Sequence, residues 1–209
     1  MQIEIRRVRP FDGEALAEFY SRLSPESRRA RFLGCGAAGI AGQAARTFCT
    51  PDHIHEEGFV ALAARPSSSA LSEPEIVGHL CLVHSGTAVL ELGVAVADDH
   101  QGRGIGRRLF EAALAWAHDQ GCARIVATAF ADNARVLRLL SSAPHPPVIE
   151  PADGGVVEVV IPLVGQLPTT RSWPPYSADH APRAQAVGRR RRGPRRAGGP
   201  QPPPCRLAT

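Results

Sequence analysis

Glu91 stands in an apolar run, Leu90 to Ala97, that leads through Asp98-Asp99-His100 into Gln101-Gly102-Arg103-Gly104-Ile105-Gly106. An amphipathic helix pattern follows at once. Glycines at a helix start let backbone N–H groups crowd around an anion, and the macrodipole adds a positive end. The guest such a turn suits is a phosphate or pyrophosphate. A P-loop is excluded, because it ends in Gly-Lys-Ser/Thr and the chain contains no lysine. The dinucleotide fingerprint fails as well. Gly102 and Gly104 could begin it, but its third glycine falls on Arg107, and that motif normally opens its domain. What remains is Gln/Arg-x-x-Gly-x-Gly/Ala, met by Gln101, Gly104 and Gly106. A glycine-rich left-handed turn with no ligand would carry the same residues.

Glu91 is the candidate base. Side chains alternate along a strand, so Leu90, Leu92, Val94 and Val96 share one face while Glu91, Gly93 and Ala95 share the other. A carboxylate beside two tiny residues reads as the open floor of a cleft. Apolar walls would raise its pKa toward a range useful for taking a proton. The same pattern fits a glutamate on a half-solvated strand. His53 and His55 precede a strand with Glu56 and Glu57, but the sequence offers no second half for a metal site, and no metal is expected.

These residues need elements to hold them. Gln2 to Val8 alternates as a first strand. Phe11 to Leu23 has helical spacing in Leu16, Phe19 and Leu23, with Asp12 as its expected N-cap. Ser24-Pro25-Glu26-Ser27 starts a second helix that carries Arg28, Arg29 and Arg31 into Phe32. Gly34 to Gly42 and Pro66 to Pro74 read as loops. Strands are expected over Gly58 to Ala64, Ile76 to Val83, Thr87 to Ala97 and Ala123 to Phe130. Between the last two, Ile105, Leu109, Ala112, Ala113 and Trp116 mark the apolar face of a helix closed by Gly121. Asn133 to Leu140 is a short helix. Val148 to Glu150 and Val156 to Leu163 form a hairpin across Asp153-Gly154-Gly155. The order β-α-α-β-β-β-α-β-α-β-β predicts an α+β fold with a mixed sheet.

The chain has 209 residues and a net charge of +4 that hides a division. Residues 166–209 hold nine arginines and one acid, whereas residues 1–165 hold fifteen arginines and nineteen acids. A mildly acidic domain over 1–165 is therefore expected to precede a Pro/Arg/Gly-rich, disordered basic tail over 166–209. The tail reads either as a contact for nucleic acid or acidic protein, or as a solubilising extension. No run of 18 apolar residues marks a transmembrane helix. Five cysteines without a C-x-x-C pair read as reduced thiols in a cytoplasm, and Cys81 and Cys122 as core residues.

The strand Glu91-Leu92-Gly93-Val94-Ala95-Val96, the glycine loop and the helix after it resemble the acetyl-CoA motif of the GNAT N-acetyltransferase superfamily. The element order fits that family too, so a GNAT-like, mostly antiparallel central sheet flanked by helices is implied. Leu23-Ser24-Pro25-Glu26-Ser27-Arg28 and the segment Asn133, Val136, Leu137, Leu139 resemble the bacterial protein lysine acetyltransferases of that superfamily. Those enzymes place a glutamate at the point matched by Glu91. The resemblance implies acetyl-CoA as co-substrate and a primary amine as acceptor, either a protein lysine or a small molecule. It implies main-chain contacts from Val94 and Val96 to the pantetheine amides, with Asn133 beside the pantetheine arm. It also implies a pyrophosphate held by the loop Gln101, Gly102, Arg103, Gly104, Ile105, Gly106 and Arg107. Asn133 serves equally as a helix N-cap. The chain departs from many family members at Leu140, where they carry a tyrosine as thiolate acid, and at Ala143-Pro144-His145, where they carry Gly-Phe. A reading from a different class is a catalytically silent CoA-binding regulatory module whose tail contacts nucleic acid.

Overall fold

The computed structural model describes residues 2–34, 48–64 and 74–163. Residues 35–42, 66–73 and 166–209, read above as loops and tail, lie outside them. The strands are β1 (Ile3–Arg7), β2 (Glu56–Ala63), β3 (Glu75–Gly86), β4 (Val89–Val96), β5 (Arg124–Phe130), β6 (Val148–Pro151) and β7 (Val156–Pro162). The helices are α1 (Gly13–Arg22), α2 (Pro25–Phe32), α3 (Ile105–Asp119) and α4 (Ala134–Leu140). The strands join in one sheet, in the order β1-β2-β3-β4-β5-β7-β6. Only the β4–β5 pair is parallel; the other neighbours are antiparallel. This is the α+β architecture with a mixed sheet that the element order predicts, mostly antiparallel as the family resemblance implies.

Period-two alternation decides which helix covers which face. Gly78 pairs with Val96, and Cys81 with Gly93, so even-numbered residues of β3 and β4 share one face. A Cβ on Gly78 would meet Leu109 and Ile105 of α3, which puts α3 over that face. Ile105, Leu109, Phe110, Ala113, Trp116 and Ala117 are buried there, each large side chain contributing about 1.5–3 kcal/mol on leaving water. The odd-numbered face receives α1 and α2. Leu16, Phe19 and Tyr20 are the buried residues of α1. The buried Tyr20 hydroxyl lies 2.7 Å from His79 Nδ1 on β3, so its polar tip is satisfied.

Two helix starts differ in how they are capped. Ser24 caps α2 as expected, accepting a hydrogen bond from Ser27 N at 3.1 Å. Asp12 precedes α1 but makes no side-chain cap bond. Its carboxylate instead accepts two bonds from Arg6 at 2.7 Å and one from Arg9 N at 2.7 Å. Asp12 is buried, and there a bidentate guanidinium outcompetes a single helix amide. Cys81 and Cys122 are buried in keeping with their sequence context.

Candidate active site

β4 and β5 pair over three positions only: Val89 with Arg124, Leu90 with Ile125, and Glu91 with Val126. Beyond them β4 follows β3 out to Val96 opposite Gly78, while β5 follows β7 out to Phe130 opposite Val156. The two strands therefore part in a V whose facing edges no longer bond each other. Backbone groups on such edges call for another partner, and their spacing suits an extended, amide-bearing chain. The opening forms a cavity of about 950 Å³. Leu92, Val94, Ala95 and Val96 line one arm, and Ala127 to Phe130 the other.

The glycine loop stands at the wide end. Gly102 and Gly104 have φ of +74° and +78°, a left-handed conformation that L side chains rarely adopt. The first bond into α3 runs from Arg108 N to Gly104 O at 3.1 Å, so the N–H groups of Ile105, Gly106 and Arg107 precede the intrahelical ladder. They lie at the positive end of a 15-residue helix. Gly102, Gly104, Ile105, Gly106 and Arg107 line the cavity, and Arg103 is not among its lining residues. Arg107 also pairs with Glu111 at 2.9 Å.

Gln101 works as a brace. Its Nε2 donates to Val96 O at 3.1 Å and to Ser27 Oγ at 3.3 Å, and its Oε1 accepts from Arg135. One side chain thus joins the loop to β4, α2 and α4. Asp98 adds a second tie, accepting from Ser24 N, Ser24 Oγ and Ser27 Oγ at 2.9, 2.8 and 2.6 Å. Burial works to raise the Asp98 carboxyl, but these hydrogen bonds outweigh it and hold the group below its ordinary range. Asn133 accepts from Val136 N at 3.2 Å, capping α4, and also lines the cavity.

Glu91 occupies the last shared position of β4 and β5, at the apex of the V, and is half-buried. It is not among the residues lining the cavity. The open floor expected beside it is filled. A Cβ on Gly93 would fall 2.6–2.7 Å from Nη1, Cζ and Nη2 of Arg31, so the guanidinium lies directly on the strand. Arg31 lines the cavity, is buried, and donates from Nη2 to Cys81 Sγ at 3.1 Å. Its Cζ is 5.3 Å from the ring centroids of Phe32 and Phe48. Sequence reading missed Arg31 because Arg28, Arg29 and Arg31 look alike on a charged helix. The glycine at 93, opposite a helix rich in arginine, was the available signal.

Leu140, at the position of the family tyrosine, is fully buried and aliphatic, and lines the cavity. His145 is not among the lining residues. His53 lies 3.1 Å from Glu57, and His55 2.7 Å from Asp52. Among the described residues, no group of three or more His, Cys, Asp or Glu is arranged to hold a metal. No helix among them is long and apolar enough to cross a membrane.

A model of the acetyltransferase (GNAT) family matches residues 27–142. No curated protein matches the chain. Solved structures do. The GNAT domain of PAT from S. lividans superposes with a TM-score of 0.62 at 22% identity, over 77% of this chain and 90% of that one. The paia N-acetyltransferase of Thermoplasma acidophilum, in complex with coenzyme A, gives 0.56 at 15% identity, over 78% and 99%. yncA from Salmonella typhimurium, with acetyl-CoA, gives 0.54 at 16% identity, over 82% and 100%. These likenesses establish a shared fold.

Proposed function

The chain belongs to the acetyltransferase (GNAT) family, and from that premise we propose that it transfers the acetyl group of acetyl-CoA to a primary amine, with a protein lysine as acceptor. The observation that carries this reading is the V between β4 and β5, with the amides of a glycine loop and helix start at its wide end. Coenzyme A or acetyl-CoA bound to two of the structures above supports the same guest.

In this reading the amides from Gly102 to Arg107 take the pyrophosphate, with Arg103 and Arg107 adding positive charge. The main chain of Val94 and Val96 pairs with the pantetheine amides. Gln101 holds the loop in place, and Asn133 lies beside the pantetheine arm. The thioester then lies toward the apex. A lysine amine is mostly protonated at neutral pH, since its pKa is about 10.4. Glu91 accepts its proton directly or through water. Holding the two substrates in line removes about 7–11 kcal/mol of the barrier in favourable cases.

The acidic balance of residues 1–165 suits a cationic acceptor, and the Leu23 to Arg28 segment favours a protein over a metabolite. The test has two stages. Calorimetry with coenzyme A should show heat and a raised melting temperature; neither would end the reading. Labelled acetyl-CoA with a cell lysate should then mark proteins. Label confined to metabolites would replace the protein acceptor with a small amine.

A further inference from the structure

The cation at the inner end of the cleft has no part in the reading so far. Arg31 reaches from α2 across to β4 and lays its guanidinium on Gly93. That contact is two residues beyond the last position β4 shares with β5. We infer that Arg31 is a catalytic residue of the acetyl transfer, whose guanidinium stabilises the negative charge that departs on the sulfur of coenzyme A. The inference rests on the acetyl-CoA reading of the cleft.

Three observations converge on it. First, the cation lies on bare backbone: a Cβ at position 93 would come within 2.6–2.7 Å of Nη1, Cζ and Nη2 of Arg31, so a side chain there would displace the guanidinium. Second, the charge is permanent. A guanidinium is not deprotonated in proteins, even when it is buried as Arg31 is. Third, the family's proton donor is missing. Leu140 offers no donor, and Tyr20 does not line the cavity and is pushed up to about 12 by burial, which makes it a poor acid. Arg29 also lines the cavity, but its Cζ lies 3.9 Å from the Phe130 ring, at the far end of β5.

The transfer balances without a donor. The amine nitrogen bonds to the carbonyl carbon, and the carbon–sulfur bond breaks with its electron pair going to sulfur. Glu91 takes the ammonium proton and passes it through water to solvent before attack, then takes the second proton shed as the amide forms; the thiolate takes a proton from water after release. A thiol ionises at or above the cysteine value of about 8.5, and a cation within about 4–6 Å lowers such a value by about 1–3 units. Arg31 therefore replaces a proton donor with a fixed charge.

The test uses the full chain with coenzyme A alone. Ultraviolet absorbance of the thiolate is followed as pH rises. In the wild type, bound coenzyme A should ionise at least about one pH unit below the free compound. Arg31→Gln should return the transition to the free value, and Arg31→Lys should keep part of the shift. With acetyl-CoA and an acceptor, Arg31→Gln should lower kcat about 100-fold, with the affinity for acetyl-CoA, which has no thiol to ionise, unchanged by calorimetry without acceptor. A wild-type thiol that titrates like free coenzyme A overturns the inference even if Arg31→Gln does not fold. So does a folded Arg31→Gln with wild-type kcat, or one that loses affinity in proportion to rate. A wild type that binds no coenzyme A overturns the acetyl-CoA reading itself, and this inference with it.

Discussion

The two roles given to glycine in the loop separate at the level of single substitutions. Gly104 has a left-handed φ of +78°, with nothing within 4 Å of a would-be Cβ. Gly104→Ala therefore has room but the wrong backbone, at a cost of about 1–2 kcal/mol. The loop recovers by rotating its amides, and coenzyme A affinity should fall about tenfold by calorimetry. A Cβ on Gly106 would meet Leu139 and Val96 at 3.5 and 3.8 Å, ordinary contacts, within helical backbone. Gly106→Ala should keep affinity and raise stability by about 0.5–1 kcal/mol. Equal losses from both would mean that space above the loop, not amide direction, sets binding. At the apex, Glu91→Gln removes the proton acceptor while keeping size. We expect kcat to fall about 10²–10⁴-fold with coenzyme A affinity unchanged. An unaltered rate in steady-state assays takes Glu91 out of the mechanism.

Between elements, the consequential tie is Asp98. Its carboxylate holds Ser24 and Ser27, and so fixes the start of α2 against the turn that leads into the glycine loop. Coenzyme A contacts and the placement of Arg31 then depend on one joint. Asp98→Ala should lower the melting temperature by a few degrees, as expected for about 1 kcal/mol of capping energy. It should also weaken coenzyme A binding several-fold. The folded carboxyl titrates below its ordinary value of 3.8, so its contribution is present above that pH and fades as pH falls through the folded value. The melting temperatures of Asp98→Ala and wild type should converge in strong acid; a constant gap would assign the tie to the serines alone. These joints mark where sequence reading stopped. Element types and the phosphate loop were legible because alternation, helical spacing and glycine signals are local. The β4–β5 split was not, since it depends on β5 following β7. Arg31 on Gly93, Gln101 on Ser27 and Tyr20 on His79 join residues 59 to 74 apart, and no local period encodes them.

For the whole molecule, acid is the condition that loads the interior most directly. His79 is fully buried, and its ring is held neutral. Burial, then the Arg31 cation, depress it from 6.5 to about 3. Among the described residues Tyr20, Arg31 and the Phe48 ring face it, and of these the Arg31 cation opposes an imidazolium. Between pH 6.5 and about 3 the unfolded chain binds a proton that the folded chain refuses, so stability rises with pH across that window. One such group gives a slope of up to about 1.4 kcal/mol per pH unit. Asp12 acts in the same sense lower down. Burial opposes its charge, but Arg6 and the Arg9 amide outweigh burial and hold its carboxyl below 3.8. Glu56 acts in the opposite sense, since burial and then Asp52 raise it. Urea unfolding at pH 7, 6.5, 6 and 5.5 should therefore show a falling midpoint before most carboxylates titrate. His79→Gln should be less stable than wild type at pH 7, where it disturbs the Tyr20 contact, yet lose less on going to pH 5.5. A wild-type midpoint that is flat from pH 7 to 5.5 would show that the folded protein takes up the proton at His79. The buried cation of Arg31 would then have to lie farther from that ring than the packing of α2 on β3 and β4 requires.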